Sequence, residues 1–199
     1  MDFEDVVRRR RMVREFSDRP LDPEVVGRII RNAQRGPSSG FTQGFDFVVF
    51  DGTTDVERFW QAVPHLQPRQ AASAPLVIVP VANSSAYVET YRNRPEVGRE
   101  VADDFPVPYW FTDTGCAVML MLLTAVDAGL GAFWFSVAPT SKEVPAFCAA
   151  LGIPEGFHPV GAVAIGHPGA AEAASSVEAR RQSAQSRRDP SQRVHRGHW

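Results

Sequence analysis

Apolar residues recur at helical spacing in three stretches of the chain. The first, from Asp2 to Arg11, predicts a short helix with acidic residues in its first turn and basic residues in its last. The second begins after the capping residue Asp22 and ends at Gly36. Its apolar stripe consists of Val25, Val26, Ile29, Ile30 and Ala33. The third, capped at Thr112-Asp113 and ending at Asp127, is apolar on nearly every face, which predicts a place in the core or against a second subunit.

Short runs rich in β-branched and aromatic residues predict four strands, at residues 45–50, 76–81, 132–135 and 160–165. The second run is apolar throughout, which is typical of a strand buried on both faces. Because proline has no N–H to donate, Pro80 predicts that this strand ends near a sheet edge. A helix around Ala146–Ala150 is predicted between the last two strands, whereas residues 83–111 show no clean period.

The chain has 199 residues, which favours a single domain. Its net charge of -2 gives no general electrostatic reason to expect nucleic acid or an anionic membrane. Twenty of the 21 basic residues are arginine, since Lys142 is the one lysine, and arginines cluster near both ends. Arginine binds phosphate through a planar fork that lysine lacks. The charge pattern therefore favours a small phosphorylated ligand over a nucleic acid.

Neither a metal site nor a membrane anchor is expected from the sequence. Cys116 and Cys148 are 32 residues apart and belong to no cysteine–histidine cluster, so neither zinc nor a disulfide framework is predicted. The N-terminus lacks the apolar segment of a secretory signal, and the most apolar stretch is shorter than the roughly 20 residues of a membrane span. We therefore expect a cytoplasmic protein.

Three segments carry candidate ligand-binding residues. The basic run from Arg9 to Phe16 is either a solvated helix end or, because Arg10 and Arg14 are spaced to share a helical face, a phosphate grip. The Gly36–Gln43 segment combines glycines and small hydroxyls that allow a ligand close to the backbone. The Gly129–Ser136 segment could stack an aromatic ligand or fill a corner of the core.

Aromatic residues also collect between residues 83 and 111, where they either anchor a loop or line a pocket. No serine, cysteine or histidine lies in a nucleophile motif, and no pair of carboxylates has a catalytic spacing. We therefore predict no catalytic side chain. A phosphate grip with aromatics and no acid–base set suggests that a cofactor supplies the chemistry.

In this order the motifs resemble the nitroreductase family of FMN flavoproteins. They are RRMVREFSDRP at Arg10–Pro20, A-x-x-G-P-S-S-G-x-x-Q at Ala33–Gln43, the D-x-G-x-A helix that leads from Asp113 to G-L-G, A-I-G-H-P at Ala164–Pro168, and a late R-R-x-P. The chain departs from the family at Met12, where serine is frequent, and at residues 41–45, where Asn-x-Gln-Pro-Trp is frequent.

The resemblance implies an α+β, nitroreductase-like fold with a mixed sheet flanked by helices, in an intertwined homodimer. Residues 1–168 would form the FMN-binding domain, and residues 169–199 an arm that packs on the partner. FMN phosphate would be bound by Arg10, Arg14 and one of Arg187 and Arg188, with Arg11 and Met12 beside it. The flavin ring and ribityl would meet Pro37, Ser38, Ser39 and Gln43 of the other subunit, Trp134, Phe135 and Ser136, and either Gln67 or Gln70.

The activity implied is ping-pong electron transfer from NAD(P)H, through FMN, to a flat acceptor such as a nitroaromatic or a quinone. Tyr109, Trp110 and Phe111 would cover the acceptor, and the nearby acids Asp103 and Asp104 would disfavour anionic acceptors. The alternatives are a dedicated enzyme of the family (a dehalogenase, an azoline dehydrogenase or a flavin-destroying enzyme) and a non-catalytic flavin-binding protein. Outside the flavin class, a regulator would use its arginine-rich ends on nucleic acid.

Overall fold

A computed structural model describes residues 1–64, 71–94, 107–137, 142–172 and 189–198. The helices of these ranges are α1 (Phe3–Arg9), α2 (Pro23–Ala33), α3 (Thr53–Ala62), α4 (Ser84–Arg92), α5 (Tyr109–Asp127) and α6 (Val144–Leu151). The strands are β1 (Phe45–Asp51), β2 (Leu76–Asn83), β3 (Gly131–Phe135), β4 (Phe157–Pro159) and β5 (Ala162–Gly166). The predicted α2, β1 and β3 are confirmed, as is a helix around residues 146–150.

The strands form one sheet in the order β1-β2-β5-β3, and β4 extends it beside the end of β2. Each pairing between these five strands is antiparallel. A parallel contact comes from the N-terminal segment, where Met12 forms an isolated bridge with Ala132 of β3. The resemblance implies a sheet with both parallel and antiparallel pairings. In the described ranges, the parallel pairing is this bridge.

The sheet separates two apolar cores because successive strand residues point to opposite faces. On β2, Leu76 and Ile78 pack with α2 and α5, whereas Val77 and Val79 pack on the opposite face with α3 and α6. All residues of β2 from Leu76 to Ala82 are buried. The prediction of a strand buried on both faces is therefore confirmed.

The prediction that this strand ends near Pro80 at a sheet edge is wrong. β2 runs on to Asn83 between β1 on one side and β5 and β4 on the other. Pro80 lies between the part of β2 that pairs with β5 and the part that pairs with β4. Its carbonyl accepts a hydrogen bond from the Val160 N–H at 2.9 Å. Because a strand residue directs its N–H and C=O to the same side, the N–H that proline lacks would face the gap between these two pairings.

Residues 160–165 do not form one strand as predicted. The chain pairs with the end of β2 through β4, turns at Gly161, and returns to pair with β2 and β3 through β5. Gly161 has a φ of +97°, in the region that favours glycine. The helices α3 and α4 were not predicted, because few apolar residues mark their buried faces. These residues are Val56 and Phe59 in α3, and Tyr87 in α4.

The helix α5 begins at Tyr109, at least four residues earlier than predicted. It starts after Pro108, so Tyr109–Phe111 form its first turn and Thr112-Asp113 are not its cap. The Thr112 hydroxyl donates to the Tyr109 carbonyl at 2.8 Å, inside the helix. The Asp113 carboxylate turns away from the helix axis to a neighbouring loop. The predicted end at Asp127 is confirmed.

Only part of the surface of α5 is covered within one chain. Ala117, Val118, Met121 and Leu122 are among its buried residues, whereas Phe111 and Met119 are 40% and 44% exposed. By length and by its mean hydropathy of 1.4, α5 could cross a membrane, but core helices of globular proteins meet the same criterion. Its contacts with α2 and the sheet identify it as a core helix here.

Candidate functional site

The basic N-terminal segment lies beside β3. The helix α1 ends at Arg9, and Arg10 has extended backbone angles, so the predicted shared helical face of Arg10 and Arg14 is wrong. The segment instead runs along the edge strand: the Val13 N–H donates to the Ala132 carbonyl at 2.9 Å. The Arg14 guanidinium lies 4.8 Å from the centroid of the Phe133 ring. Tertiary structure thus brings together two of the three segments singled out in the sequence.

Gly131 allows this close approach. A Cβ atom at Gly131 would lie 2.6 Å from Cβ of Val13, which is closer than non-bonded carbon atoms come. Val13 is buried, 4% exposed, and so closes the core at this edge. Gly131 is the second glycine of the G-L-G motif, and its role is therefore to let the basic segment reach β3.

The arginines of this segment differ in their partners. Arg11 forms an ion pair with Glu172 and donates a second hydrogen bond to the Glu172 carbonyl at 2.8 Å. The Glu172 carboxylate also accepts from the Arg14 N–H at 2.8 Å. Burial alone would raise the pKa of Glu172, but the hydrogen bonds from Arg11 and Arg14 together hold it below its ordinary value. Glu172 thereby ties the start of the C-terminal arm to the basic segment.

Arg10 is half-buried and Arg14 is exposed. Within the described ranges, the Arg10 guanidinium has no hydrogen bond or ion pair, and the Arg14 guanidinium has only its contact with Phe133. Two guanidinium groups left without an acid, four residues apart on one segment, fit an anionic ligand such as a phosphate. Arg11, which was predicted to lie beside the phosphate, already has the Glu172 carboxylate as its partner. Met12 packs against the core and offers no hydroxyl.

A cleft of about 380 Å³ opens where β3 ends. Its lining consists of Trp134, Phe135, Ser136, Pro159, Val160 and Gly161. The Trp134 indole N–H donates to the Val160 carbonyl at 2.9 Å, which holds the ring against the β4–β5 turn. At Gly161 a Cβ atom would lie 2.5 Å from the Phe135 carbonyl oxygen, so only glycine lets the turn approach β3. The three predicted residues Trp134, Phe135 and Ser136, at and just beyond the end of β3, therefore line one cleft.

The remaining candidate segment, Gly36–Gln43, belongs to a loop that runs from Gly36 to Gly44. This loop leads into β1, at the opposite edge of the sheet from β3. The Ser38 hydroxyl accepts a hydrogen bond from the Gln43 N–H at 2.9 Å, and Phe41 is 79% exposed. The strands β2 and β5 lie between this edge and β3, and neighbouring strands of a sheet are about 4.8 Å apart. Within one chain, the loop and the basic segment thus occupy different edges.

Sequence reasoning missed the residues that hold this loop. The Asp113 carboxylate, 8% exposed, accepts a hydrogen bond from the Ser39 N–H at 2.7 Å and another from the Tyr87 hydroxyl at 2.8 Å. Burial, followed by the hydrogen bond to Asp113, raises the pKa of Tyr87 well above its ordinary value. The helix-capping pattern at Thr112-Asp113 concealed this role, because an aspartate before an apolar run predicts a cap.

The three predicted acceptor-covering residues are neighbours in the first turn of α5. The Trp110 ring lies 6.2 Å from that of Tyr87, and the Phe111 ring 5.7 Å from that of His158. Tyr109 and Trp110 are half-buried, whereas Phe111 is 40% exposed. Both readings of this aromatic group, loop anchor and pocket lining, therefore remain compatible with its partial burial.

Several predicted residues lie outside the described ranges: Arg187 and Arg188, Gln67 and Gln70, Asp103 and Asp104. Within those ranges, no group of three or more histidine, cysteine or acidic side chains is arranged to hold a metal ion. The two cysteines are free, with Cys116 exposed and Cys148 half-buried. Desolvation raises the pKa of the Cys148 thiol, which makes it a poor nucleophile.

Comparisons with known proteins show the family and the fold of the chain. The model of the nitroreductase family matches residues 7–167. A protein of Archaeoglobus fulgidus, provisionally named NADH dehydrogenase/NAD(P)H nitroreductase, is 28% identical over 159 residues, which are 80% of this chain and 81% of the relative.

Solved structures share the fold. A nitroreductase family protein from Clostridium difficile 630 has a TM-score of 0.73 at 17% identity, with all of both chains covered. A protein from Exiguobacterium sibiricum, provisionally named a nitroreductase and solved in complex with FMN, has a TM-score of 0.66 at 20% identity, with 84% of this chain and 89% of the other covered. The resemblance and the α+β, nitroreductase-like fold predicted from the sequence are confirmed: the chain belongs to the nitroreductase family.

Proposed function

We propose that the protein is an FMN-dependent oxidoreductase that passes electrons from NAD(P)H to a flat acceptor, such as a nitroaromatic or a quinone. The observation that carries the proposal is the pair Arg10 and Arg14, whose guanidinium groups have no acidic partner in the described ranges and which belong to the segment that runs along β3. The family assignment and the FMN bound to the Exiguobacterium sibiricum protein support the same cofactor.

In this proposal Arg10 and Arg14 bind the phosphate of FMN, with one of Arg187 and Arg188 from the C-terminal arm. The cleft at Trp134, Phe135 and Ser136 takes the edge of the flavin ring. The chemistry that bound FMN supplies is reversible two-electron transfer between NAD(P)H and the acceptor. The side chains of this chain bind and orient the cofactor and exclude water, and none is required as an acid or a base.

We propose that the site is completed by a second copy of the chain in a homodimer. Pro37, Ser38, Ser39 and Gln43 stand at the β1 edge, away from the basic segment of their own chain. The exposed apolar residues Phe111 and Met119 on α5 and Phe3 on α1 offer a surface for that copy. Residues 1–168 then form the FMN-binding domain and residues 169–199 the arm. The Arg11–Glu172 ion pair supports an arm that starts beside the phosphate site.

The proposed acceptor lies under Tyr109, Trp110 and Phe111, whose rings favour a flat, apolar molecule. Asp103 and Asp104 add negative charge in the preceding segment, so neutral acceptors are expected to exceed carboxylated ones. We further propose a cytoplasmic location, where NAD(P)H is available.

The decisive experiment is the spectrum of the purified protein with NADH or NADPH. A yellow protein that NAD(P)H bleaches, and that a quinone or a nitroaromatic reoxidises, supports the proposal. A yellow protein that NAD(P)H leaves oxidised favours a dedicated-substrate enzyme or a flavin-binding protein. A colourless protein that added FMN does not reconstitute overturns every flavin proposal, and retention on duplex DNA would then favour a regulator.

A further inference from the structure

Three residues of the Gly36–Gly44 loop have positive φ angles, and two of them are not glycine. Gly40, Phe41 and Gln43 have φ values of +63°, +55° and +54°. Non-glycine residues rarely enter this left-handed region, and they remain there only where surrounding contacts hold them. Phe41 is 79% exposed, so its own side chain does not supply that hold. The hold must come from contacts of the neighbouring loop residues.

One carboxylate oxygen makes the central contacts. Oδ2 of Asp113 accepts hydrogen bonds from the Ser39 N–H and the Tyr87 hydroxyl, at 2.7 Å and 2.8 Å. Its other oxygen, Oδ1, accepts from the Thr112 hydroxyl at 3.2 Å. Because Asp113 lies in α5 and Tyr87 in α4, this single buried group joins two helices to the loop. Hydrogen bonds to a carboxylate are stronger than those between neutral groups.

Further contacts hold the loop at Ser39, Gly40 and Gly44. The Ser39 and Tyr91 hydroxyl oxygens lie 2.6 Å apart, and the Arg94 guanidinium donates to the Gly40 carbonyl at 2.5 Å. At the end of the loop, a Cβ atom on Gly44 would lie 2.4 Å from Cε2 of Tyr87, so glycine lets the ring pack on the backbone. The ring therefore presses on Gly44 while its hydroxyl reaches Asp113.

We propose that Asp113 is a positioning residue, whose carboxylate holds the Gly36–Gly44 loop in the conformation that presents Ser38 and Gln43 to FMN. Ser39 is the anchor of this loop, because its N–H and its hydroxyl both face partners of its own chain. The inference rests on the proposed function in one respect, the identity of the ligand. The hold on the loop can be measured without any ligand.

The test compares three variants. Asp113→Ala removes the two hydrogen bonds that Oδ2 accepts from the Ser39 N–H and the Tyr87 hydroxyl, and Asp113→Asn keeps an amide oxygen that can accept them without the charge. Thr124→Val is the matched control, since Thr124 is buried in the same helix, 7% exposed, and joins α5 to α2 through a 3.1 Å bond from Asn32. For each variant we would measure the Kd of FMN by fluorescence quenching, the thermal midpoint, and the rate of chymotrypsin cleavage after Phe41 in the FMN-free protein.

We expect Asp113→Ala to raise the Kd of FMN roughly tenfold or more and to accelerate cleavage after Phe41, because two charge-assisted bonds are lost. Asp113→Asn should recover part of both effects. Thr124→Val should lower the thermal midpoint while leaving the Kd and the cleavage rate close to wild type. Should Asp113→Ala not fold, Tyr87→Phe removes one of the two bonds and should shift both readouts in the same direction.

Equal Kd and cleavage values in the Asp113→Ala and Thr124→Val proteins would overturn the inference, since Asp113 would then act on stability alone. A wild-type protein that binds no FMN overturns the proposed function and the role toward FMN with it. Faster cleavage in the Asp113→Ala protein would even then show that the carboxylate holds the loop, so the two failures are distinguishable.

Discussion

Arg14 and Phe133 are in contact where the basic segment runs along the sheet: the guanidinium carbon lies 4.8 Å from the ring centroid. The contact orients an arginine that has no acidic partner within the described ranges, next to the strand that leads to the Trp134–Ser136 cleft. A cation over an aromatic face contributes about 0.5–1 kcal/mol at an exposed site. Its main effect is therefore to limit where the guanidinium points, which favours a site ready to receive an anion.

Replacing Arg10 by alanine should weaken FMN binding by about 1.5–3 kcal/mol, the range for a hydrogen-bonded charged group. Arg10→Lys should restore only part of the affinity, because lysine lacks the planar fork. The measurement is the Kd of FMN, and Arg8→Ala is the control, since Arg8 is exposed and pairs with Asp5 in the preceding turn. Unchanged affinity in Arg10→Ala would favour a merely solvated basic segment.

A glutamate at Met119 should dissociate the proposed homodimer. Met119 is 44% exposed on α5 within one chain, and burying an unpaired charge in an apolar interface is strongly unfavourable. Sedimentation should show a dimer for wild type, a monomer for Met119→Glu, and a parallel loss of FMN. Gln61→Glu adds the same charge to an exposed position of α3, across the sheet, and should stay dimeric. Wild-type protein that is monomeric with FMN bound would contradict the two-subunit site.

Substituting Trp110 by alanine should change the choice of acceptor. If the first turn of α5 covers the acceptor, rates of reoxidation should fall more for large quinones than for small nitroaromatics, with flavin content kept. Phe147→Leu is the control, because Phe147 is 2% exposed and packs against Phe59 in the core across the sheet. A loss of thermal stability with an unchanged order of acceptors would mean that the aromatic group only anchors the loop.

The ion pair between Arg11 and Glu172 should stabilise the protein in a pH-dependent way. Although burial opposes it, hydrogen bonding holds the folded-state pKa of Glu172 below its ordinary value of 4.5. The contribution is therefore fully present above pH 4.5 and is lost as the pH falls through the lower, folded-state pKa. Urea denaturation of wild type and Glu172→Gln should differ by a constant amount near neutrality, and the difference should shrink in acid. A difference that grows in acid would contradict this assignment.

Local patterns determined the elements with strong periodicity. The stripe from Val25 to Ala33 and its Asp22 cap predict α2 with its correct start, because the cap marks the first turn and packing of the apolar face supplies most of the stability of a helix. The β-branched run at Leu76–Val81 likewise predicts a strand buried on both faces. The order of motifs from Arg10 to Pro168 was sufficient to identify the family and with it the α+β fold.

Tertiary structure alone decided how these elements combine. Helical spacing could not reveal that α1 stops at Arg9 and that residues 10–14 run along β3, because that path depends on the space left by Gly131, over a hundred residues away. The role of Asp113 was equally hidden. Its sequence neighbourhood fits a helix cap, and only the packing of α4 and of the Gly36–Gly44 loop against α5 turns its carboxylate into an acceptor for both. Local sequence specifies backbone preference, whereas a long-range contact exists only once the chain has folded around it.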